Sequence, residues 1–294
     1  MLIYPDSSDL IRLERDNGLL VEQLAKWLRT HRARLVLSAS LITEVAPPLH
    51  TMPAARIMLL LNRLETLPHI WFRGVDIEWR ELAVAIRCHM SSSSWEPIHP
   101  FVDSYVDTLA GLHPAVRAQY LARPLAEIVW ETLYGLSQIQ NAASATATFP
   151  QWLTENRAAI RATEAADYTR KVRLAFGRAV RNVGSTLPEF ATVSSADEFI
   201  DYLWKRPDWC PAARLSFEVS QRFQADITTT GRASDVGDLV RMKAVPYVNV
   251  FVADASKRAY LAALRSGTKS RLRKCAYWAT CDVVANLDEA IASG

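Results

Sequence analysis

Four cysteines in 294 residues, none in a CxxC pair or at zinc-finger spacing, argue against a disulfide framework and against a thiolate zinc site. Cys88, Cys210, Cys275 and Cys281 read instead as reduced, mostly buried thiols of a cytosolic chain. No glycine-rich phosphate loop is present, so nucleotide hydrolysis of the P-loop type is not expected. No apolar run approaches the roughly 18 residues of a membrane span. The first residues carry acids and no basic segment leading into an apolar stretch, so a soluble, cytoplasmic protein without a membrane partner is expected. Six histidines are scattered over loops and element ends, none beside a serine or cysteine in a recognisable nucleophilic setting, and they receive no role. An excess of either charge is also lacking, with 34 Lys and Arg against 31 Asp and Glu. A net +3 permits a nucleic-acid partner without requiring one, because local patches outweigh the total.

What is present is a sequence that is half apolar and long enough for one large or two modest domains. Leu2-Ile3-Tyr4-Pro5-Asp6 is a short apolar strand ending in an Asp, and Ser7, Ser8 and Asp9 offer caps for a helix spanning Leu10 to about Thr30. Arg34 to Leu37 is a second strand, and Ser38-Ala39-Ser40 opens a helix carrying Leu41, Ile42, Glu44 and Val45 that Pro47 and Pro48 end. Ala54 to Leu64 is a helix, His69 to Phe72 a third strand, and Val75 to Cys88 the helix after it. Such alternation predicts an α/β domain with a parallel sheet.

At His89-Met90-Ser91-Ser92-Ser93-Ser94 the alternation stops, and from there to about Thr230 the patterns are helical, with no convincing strand. Expected helices cover Phe101–Leu112, Pro114–Gln140, Phe149–Val183, Ser195–Arg206 and Pro211–Phe223, with a kink at Pro124. The aromatic residues there (Trp130, Tyr134, Trp152, Tyr202, Trp204) fall at helical spacing and read as core. The sheet then resumes with Val248 to Ala253 and again with Val283 to Asn286. The predicted organisation is an α/β domain, residues 1–90 and 230–294, split by an α-helical insertion over 91–229.

Acids collect at one predicted edge of the sheet. Asp6 follows the first strand, Glu44 the second, Asp235 and Asp238 precede the late strand, and Asp254 ends it. Taken singly, Asp6 and Asp235 read as helix caps, Glu44 as an exposed helix acid and Asp238 as a solvated first-turn acid. Taken together they read differently. Two like charges about 4 Å apart repel by roughly 4 kcal/mol at an effective dielectric near 20. A cluster therefore persists when a cation neutralises it or when protons are retained. All-oxygen donors favour Mg²⁺ or Mn²⁺. In open α/β sheets the loops at the strands' carboxyl ends form the ligand crevice, which is where these acids fall.

Tyr4-Pro5-Asp6-Ser7-Ser8, Ser40-Leu41-Ile42-Thr43-Glu44-Val45 and the stretch from Asp235 through Asp238 to Pro246–Asp254 resemble the motifs of PIN-domain ribonucleases. The resemblance covers about residues 1–90 and 230–294. It implies a three-layer parallel-sheet nuclease domain. Asp6, Glu44, Asp235 and Asp254 would be its catalytic metal ligands, with Asp238 helping. It further implies Mg²⁺- or Mn²⁺-dependent cleavage of single-stranded RNA, a possible homodimer, and an antitoxin or other protein regulator. Ala253-Asp254 departs from the Thr-Asp pair the family often has. DNA as substrate, and a non-catalytic binding or scaffold role, stay open at this point.

Basic residues cluster after Asp254: Lys257, Arg258, Arg265, Lys269, Arg271, Arg273 and Lys274, with Tyr277 and Trp278 behind them. Cations beside an acidic site can hold a phosphate backbone while aromatics stack on bases. Of these, Lys257, Arg258, Lys269, Arg271, Arg273 and Lys274 are the expected nucleic-acid contacts.

Overall fold

The fold is taken from a computed structural model, which describes residues 1–15, 18–45, 54–74, 76–95, 98–109, 114–137, 173–193, 195–206, 208–225, 233–266 and 280–293. It is α/β, built on a mixed, mostly parallel sheet of six strands in the order β4-β3-β2-β1-β5-β6. The strands are β1 (Leu2–Tyr4), β2 (Arg34–Ser38), β3 (His69–Phe72), β4 (Phe101–Val102), β5 (Val250–Val252) and β6 (Asp282–Val284). Only β4 runs antiparallel, pairing Phe101 with Phe72 and Val102 with Trp71. β1 lies between β2 and β5, with Ile3 opposite both Leu35 and Val250.

The inner strands are apolar because both faces are covered. Ile3, Leu35, Val36 and Leu37 are wholly buried. That is the residue pattern of parallel strands with helices on either side, not of a half-wet sheet. Tyr4 stacks on Phe251 with ring centres 5.2 Å apart and meets the edge of Phe72. Its hydroxyl shares a 2.5 Å hydrogen bond with Ser38 Oγ, and burial pushes the phenol up to about 12. Each fully buried apolar side chain of this kind contributes roughly 1.5–3 kcal/mol.

The helices are α1 (Ser7–Arg15), α2 (Leu19–Thr30), α3 (Ala39–Val45), α4 (Ala54–Thr66), α5 (Ile77–Met90), α6 (Pro114–Leu121), α7 (Leu125–Ser137), α8 (173–184), α9 (Ala196–Trp204), α10 (Pro211–Ala225), α11 (Ala233–Arg241), α12 (Ala255–Ser266) and α13 (Leu287–Ser293). A 3₁₀ turn, Met242–Tyr247, links α11 to β5. Among the described residues no helix is long and apolar enough to cross a membrane. Cys88, Cys210 and Cys281 are free and buried.

The chain departs from the expected elements in four places. The single helix expected to reach Thr30 is two, because Gly18 sits at φ 93°, a conformation open to glycine and strained for other residues. Pro124 does not kink a long helix but separates α6 from α7. A strand, β4, stands where a helix from Phe101 was expected, followed by a 3₁₀ turn at Tyr105–Thr108. Trp130, expected in the core, is 40% exposed. Ser195 caps α9, its Oγ accepting the Glu198 amide at 3.2 Å.

The stretch expected as an insertion contributes to two apolar clusters. Leu125, Ala126, Ile128 and Val129 of α7, and Ala212, Leu215, Val219 and Phe223 of α10, belong to the main core around the sheet. The second cluster joins Leu82, Ala85 and Ile86 of α5 to Phe176 and Val180 of α8 and to Phe199 and Leu203 of α9. At its boundary Arg214 is wholly buried and donates to the Trp204 carbonyl at 3.0 Å, a cation placed on the last carbonyls of α9.

Topology positions the site. The chain lays down β1, β2 and β3 to one side, then returns to pair β5 on the other side of β1. The order therefore reverses between β1 and β5, and the crevice of such a sheet opens at the carboxyl ends of the strands flanking that reversal.

Candidate acidic site at the strand reversal

Pro5 ends β1 and Asp6 becomes the cap of α1. Its Oδ2 accepts the Ser8 amide at 3.1 Å and the Ser8 hydroxyl at 2.6 Å. Asp254 does the same after β5. Its Oδ1 accepts the Lys257 amide at 2.9 Å and the Ser256 hydroxyl at 2.7 Å, at the start of α12. Capping and clustering are thus not rival explanations for these acids. Each cap fixes a carboxylate at the carboxyl end of its strand, on either side of the reversal.

Glu44 arrives on α3, whose first turn is capped by Ser38 Oγ accepting the Leu41 amide at 3.1 Å. Asp238 lies on α11, which packs against α3. The close approach of these two helices runs through Gly237: a methyl group there would stand 2.5 Å from Glu44 Oε1. Asp235 lies one turn earlier on α11, and its side chain is outside the described residues.

Two cations thread the acids together. Arg241, only 6% exposed, places Nη1 2.8 Å from Glu44 Oε2 and Nη2 3.4 Å from Asp6 Oδ1, and it also pairs with Asp238. Lys257, likewise 6% exposed, sets Nζ 2.7 Å from Asp238 Oδ2 and 2.9 Å from Asp254 Oδ2. Asp6, Glu44, Asp238 and Asp254 bring four negative charges and the two bases return two positive, so the described groups sum to −2. Burial pushes the Glu44 carboxyl up, against the pull of Arg241. Burial pushes Asp254 up as well, but the Lys257 amide and ammonium and the Ser256 hydroxyl outweigh it and hold the carboxyl below its usual value.

Four of the five acids expected from sequence are therefore described at one site. Glu44 Oε1 is buried there, and the Ser7 hydroxyl supports the same carboxyl. Among the described residues no three acids, histidines or cysteines converge closely enough to share one ion. Arg241 stands between them.

The expected nucleic-acid contacts fare differently. Lys257 is corrected: its ammonium is buried and committed to Asp238 and Asp254, so it is not a surface cation awaiting phosphate. Arg258 is partly buried on α12, and Arg265 donates to the Cys281 carbonyl. Lys269, Arg271, Arg273 and Lys274 lie outside the described residues.

Two residues of the site escaped the sequence reading, Arg241 and Gly237. Arg241 falls three residues after Asp238, ion-pair spacing on a helix, in a run from Leu239 to Val245 that is apolar but for Arg241 and Lys243. That is the signal by which it can be found. For Gly237→Ala, the gain in helix propensity of roughly 1 kcal/mol offsets the displaced Glu44 end, so thermal stability should change little. Glu44 Oε1 must shift to make room, which moves this carboxylate from its present position, and any chemistry of the site should fall. A melt and an activity assay on this one variant separate the two effects. A variant with unchanged activity would show that Glu44 is not needed at its present position.

No family model, no curated protein and no solved structure matches this chain.

Proposed function

We propose that the acidic site at the strand reversal is the centre of a Mg²⁺- or Mn²⁺-dependent endoribonuclease acting on single-stranded RNA, on a PIN-like three-layer domain. One observation carries the reading. Carboxylates from four separate chain segments meet at the strand reversal and keep two negative charges after their own cations are counted. Hard oxygen donors and a residual charge of −2 suit a divalent cation of the Mg²⁺ class.

Asp6, Glu44, Asp235 and Asp254 would hold such a cation, with Asp238 supporting it, only after Arg241 and Lys257 give way, because the described acids do not now converge on one point. When bound, it would supply Lewis-acid activation of water and stabilisation of the leaving oxygen in phosphodiester hydrolysis. The remaining work falls to the chain. The caps on α1 and α12 orient Asp6 and Asp254. Arg241 holds Asp6, Glu44 and Asp238 together against their repulsion. Lys257, shared by Asp238 and Asp254, must release Asp254 before that carboxylate can serve as a ligand.

The buried Arg241 also favours a second reading, a non-catalytic scaffold in which internal cations have taken over the neutralising role. Metal-dependent stability separates the two. At a hundredfold its dissociation constant, Mn²⁺ should raise stability by about 2.7 kcal/mol in the native protein. The Asp6→Asn/Asp254→Asn variant should show no such gain. Equal denaturation curves for the native protein with and without Mn²⁺ would favour the scaffold.

A further inference from the structure

Each of the two carboxylates that meet Lys257 has one oxygen fixed by the fold and one turned to the lysine. Asp254 Oδ1 accepts the Lys257 amide at 2.9 Å and the Ser256 hydroxyl at 2.7 Å, which seats it on the first turn of α12. Asp238 Oδ1 pairs with Arg241. The other oxygen of each, Oδ2, faces the same atom. Lys257 Nζ stands 2.9 Å from that of Asp254 and 2.7 Å from that of Asp238. One buried ammonium thus sits between two oriented oxygens, one from α11 and one from the turn between β5 and α12. Were it withdrawn, both oxygens would keep their places, because each carboxylate is anchored through its other oxygen.

That point suits a small hard cation. Mg²⁺ takes carboxylate oxygens at about 2.0–2.1 Å, so each Oδ2 need close on it by less than about 1 Å. Charge favours the exchange as well. Without the ammonium the four described acids and Arg241 sum to −3, and a dication offsets twice what the lysine does. Of the two cations described in the site, Lys257 is the one placed to leave. Its ammonium is a compact charge on a flexible four-carbon stem, whereas the planar fork of Arg241 is shared among three acids. The Asp254 side chain is 53% exposed, which opens this end of the site to solvent, while Glu44 on Arg241 is 13% exposed.

We propose that the Lys257 ammonium is a tethered competitor for the divalent cation. The ion enters at the position of Nζ, on Asp238 Oδ2 and Asp254 Oδ2, and displaces the lysine while Arg241 keeps its place. The chain itself closes the site when metal is scarce, and metal opens it. This assignment rests on the metal-dependent reading above and adds the point of entry and the group that resists it. An ion that binds only those molecules whose lysine has swung out has its apparent affinity reduced by that fraction.

Calorimetric titration of Mn²⁺ into the full chain tests the exchange without any assay of cleavage. Lys257→Met keeps an unbranched apolar stem but removes the charge, and should bind Mn²⁺ about tenfold or more tightly than the native protein, a gain of about 1.4 kcal/mol. Lys257→Arg keeps a competing charge and should show no such gain. Should Lys257→Met not fold, the native protein decides the matter through acylation of its lysines, read by peptide mass spectrometry. Lys257 should be labelled several-fold faster with saturating Mn²⁺ than with EDTA. Equal affinity in the native protein and Lys257→Met, or labelling of Lys257 that bound Mn²⁺ does not change, overturns the exchange and leaves the metal site standing. No Mn²⁺ binding by either protein overturns the exchange and the metal-dependent reading together.

Discussion

Replacing Arg241 with alanine should lower folding stability by about 3–5 kcal/mol, the usual cost of removing one partner from a buried ionic cluster. The side chain is 6% exposed and touches Asp6, Glu44 and Asp238 at once. Its loss leaves three carboxylates facing one another, with Lys257 as the counter-charge of Asp238 among the described residues. The same variant reports on cation binding. With Arg241 gone, the residual charge of the described groups becomes −3, so Mg²⁺ should restore more stability to Arg241→Ala than it adds to the native protein. Urea denaturation of both proteins, with Mg²⁺ and with EDTA, measures both quantities. A loss under about 1 kcal/mol would place Arg241 among ordinary surface pairs and remove it from the account of the cluster.

The second large effect lies at Glu81, where α5, α10 and the 3₁₀ turn before β5 meet. Its carboxyl is wholly buried and accepts the Ala212 and Ala213 amides at 2.9 and 3.0 Å, and the Tyr247 hydroxyl donates to it. Burial pushes Glu81 up to about 7 from 4.5, although those three donors pull the other way. The sign follows from proton binding. Below pH 4.5 both folded and unfolded chains hold the proton, and Glu81 adds no pH dependence. Between 4.5 and about 7 the folded chain holds it and the unfolded chain has released it, so stability falls as pH rises. Above about 7 the difference is constant. The total is roughly 3 kcal/mol. Glu81→Gln keeps an acceptor and a donor without titrating. The stability of the native protein relative to this variant should therefore decline across that window and level off above it. A difference that stays flat with pH would show that Glu81 ionises at its ordinary value.

The sheet was legible because its strands are short apolar runs bounded by proline or by charge. His69–Phe72 was read to the residue, and β1 and β2 nearly so. The acids were legible for a related reason: an Asp that caps a helix after a strand sits at the strand's carboxyl end, and Asp6 and Asp254 follow that rule. What the pattern hid is tertiary. β4 has two residues, too few for a period, and only Pro100 beside it hints at extended backbone. α10 reads as one more amphipathic helix, yet its partners include α5, α11, α12 and the 3₁₀ turn before β5, and its residues complete the main core. Lys257 shows the same limit from the other side. On a basic helix its charge reads as a phosphate contact, and only the arrival of Asp238 from α11 turns it inward. Spacing along one element can name an ion pair such as Asp254 with Lys257, but it cannot tell which third group the fold will bring to it.

The most direct test of the central proposal is cleavage of labelled single-stranded RNA and DNA by the purified protein, with Mn²⁺, Mg²⁺ or EDTA, beside the Asp6→Asn/Asp254→Asn variant. The account predicts RNA cleavage that requires the metal and is lost in the variant. Cleavage that persists in EDTA or in the variant would contradict it, as would cleavage of DNA alone for the choice of substrate.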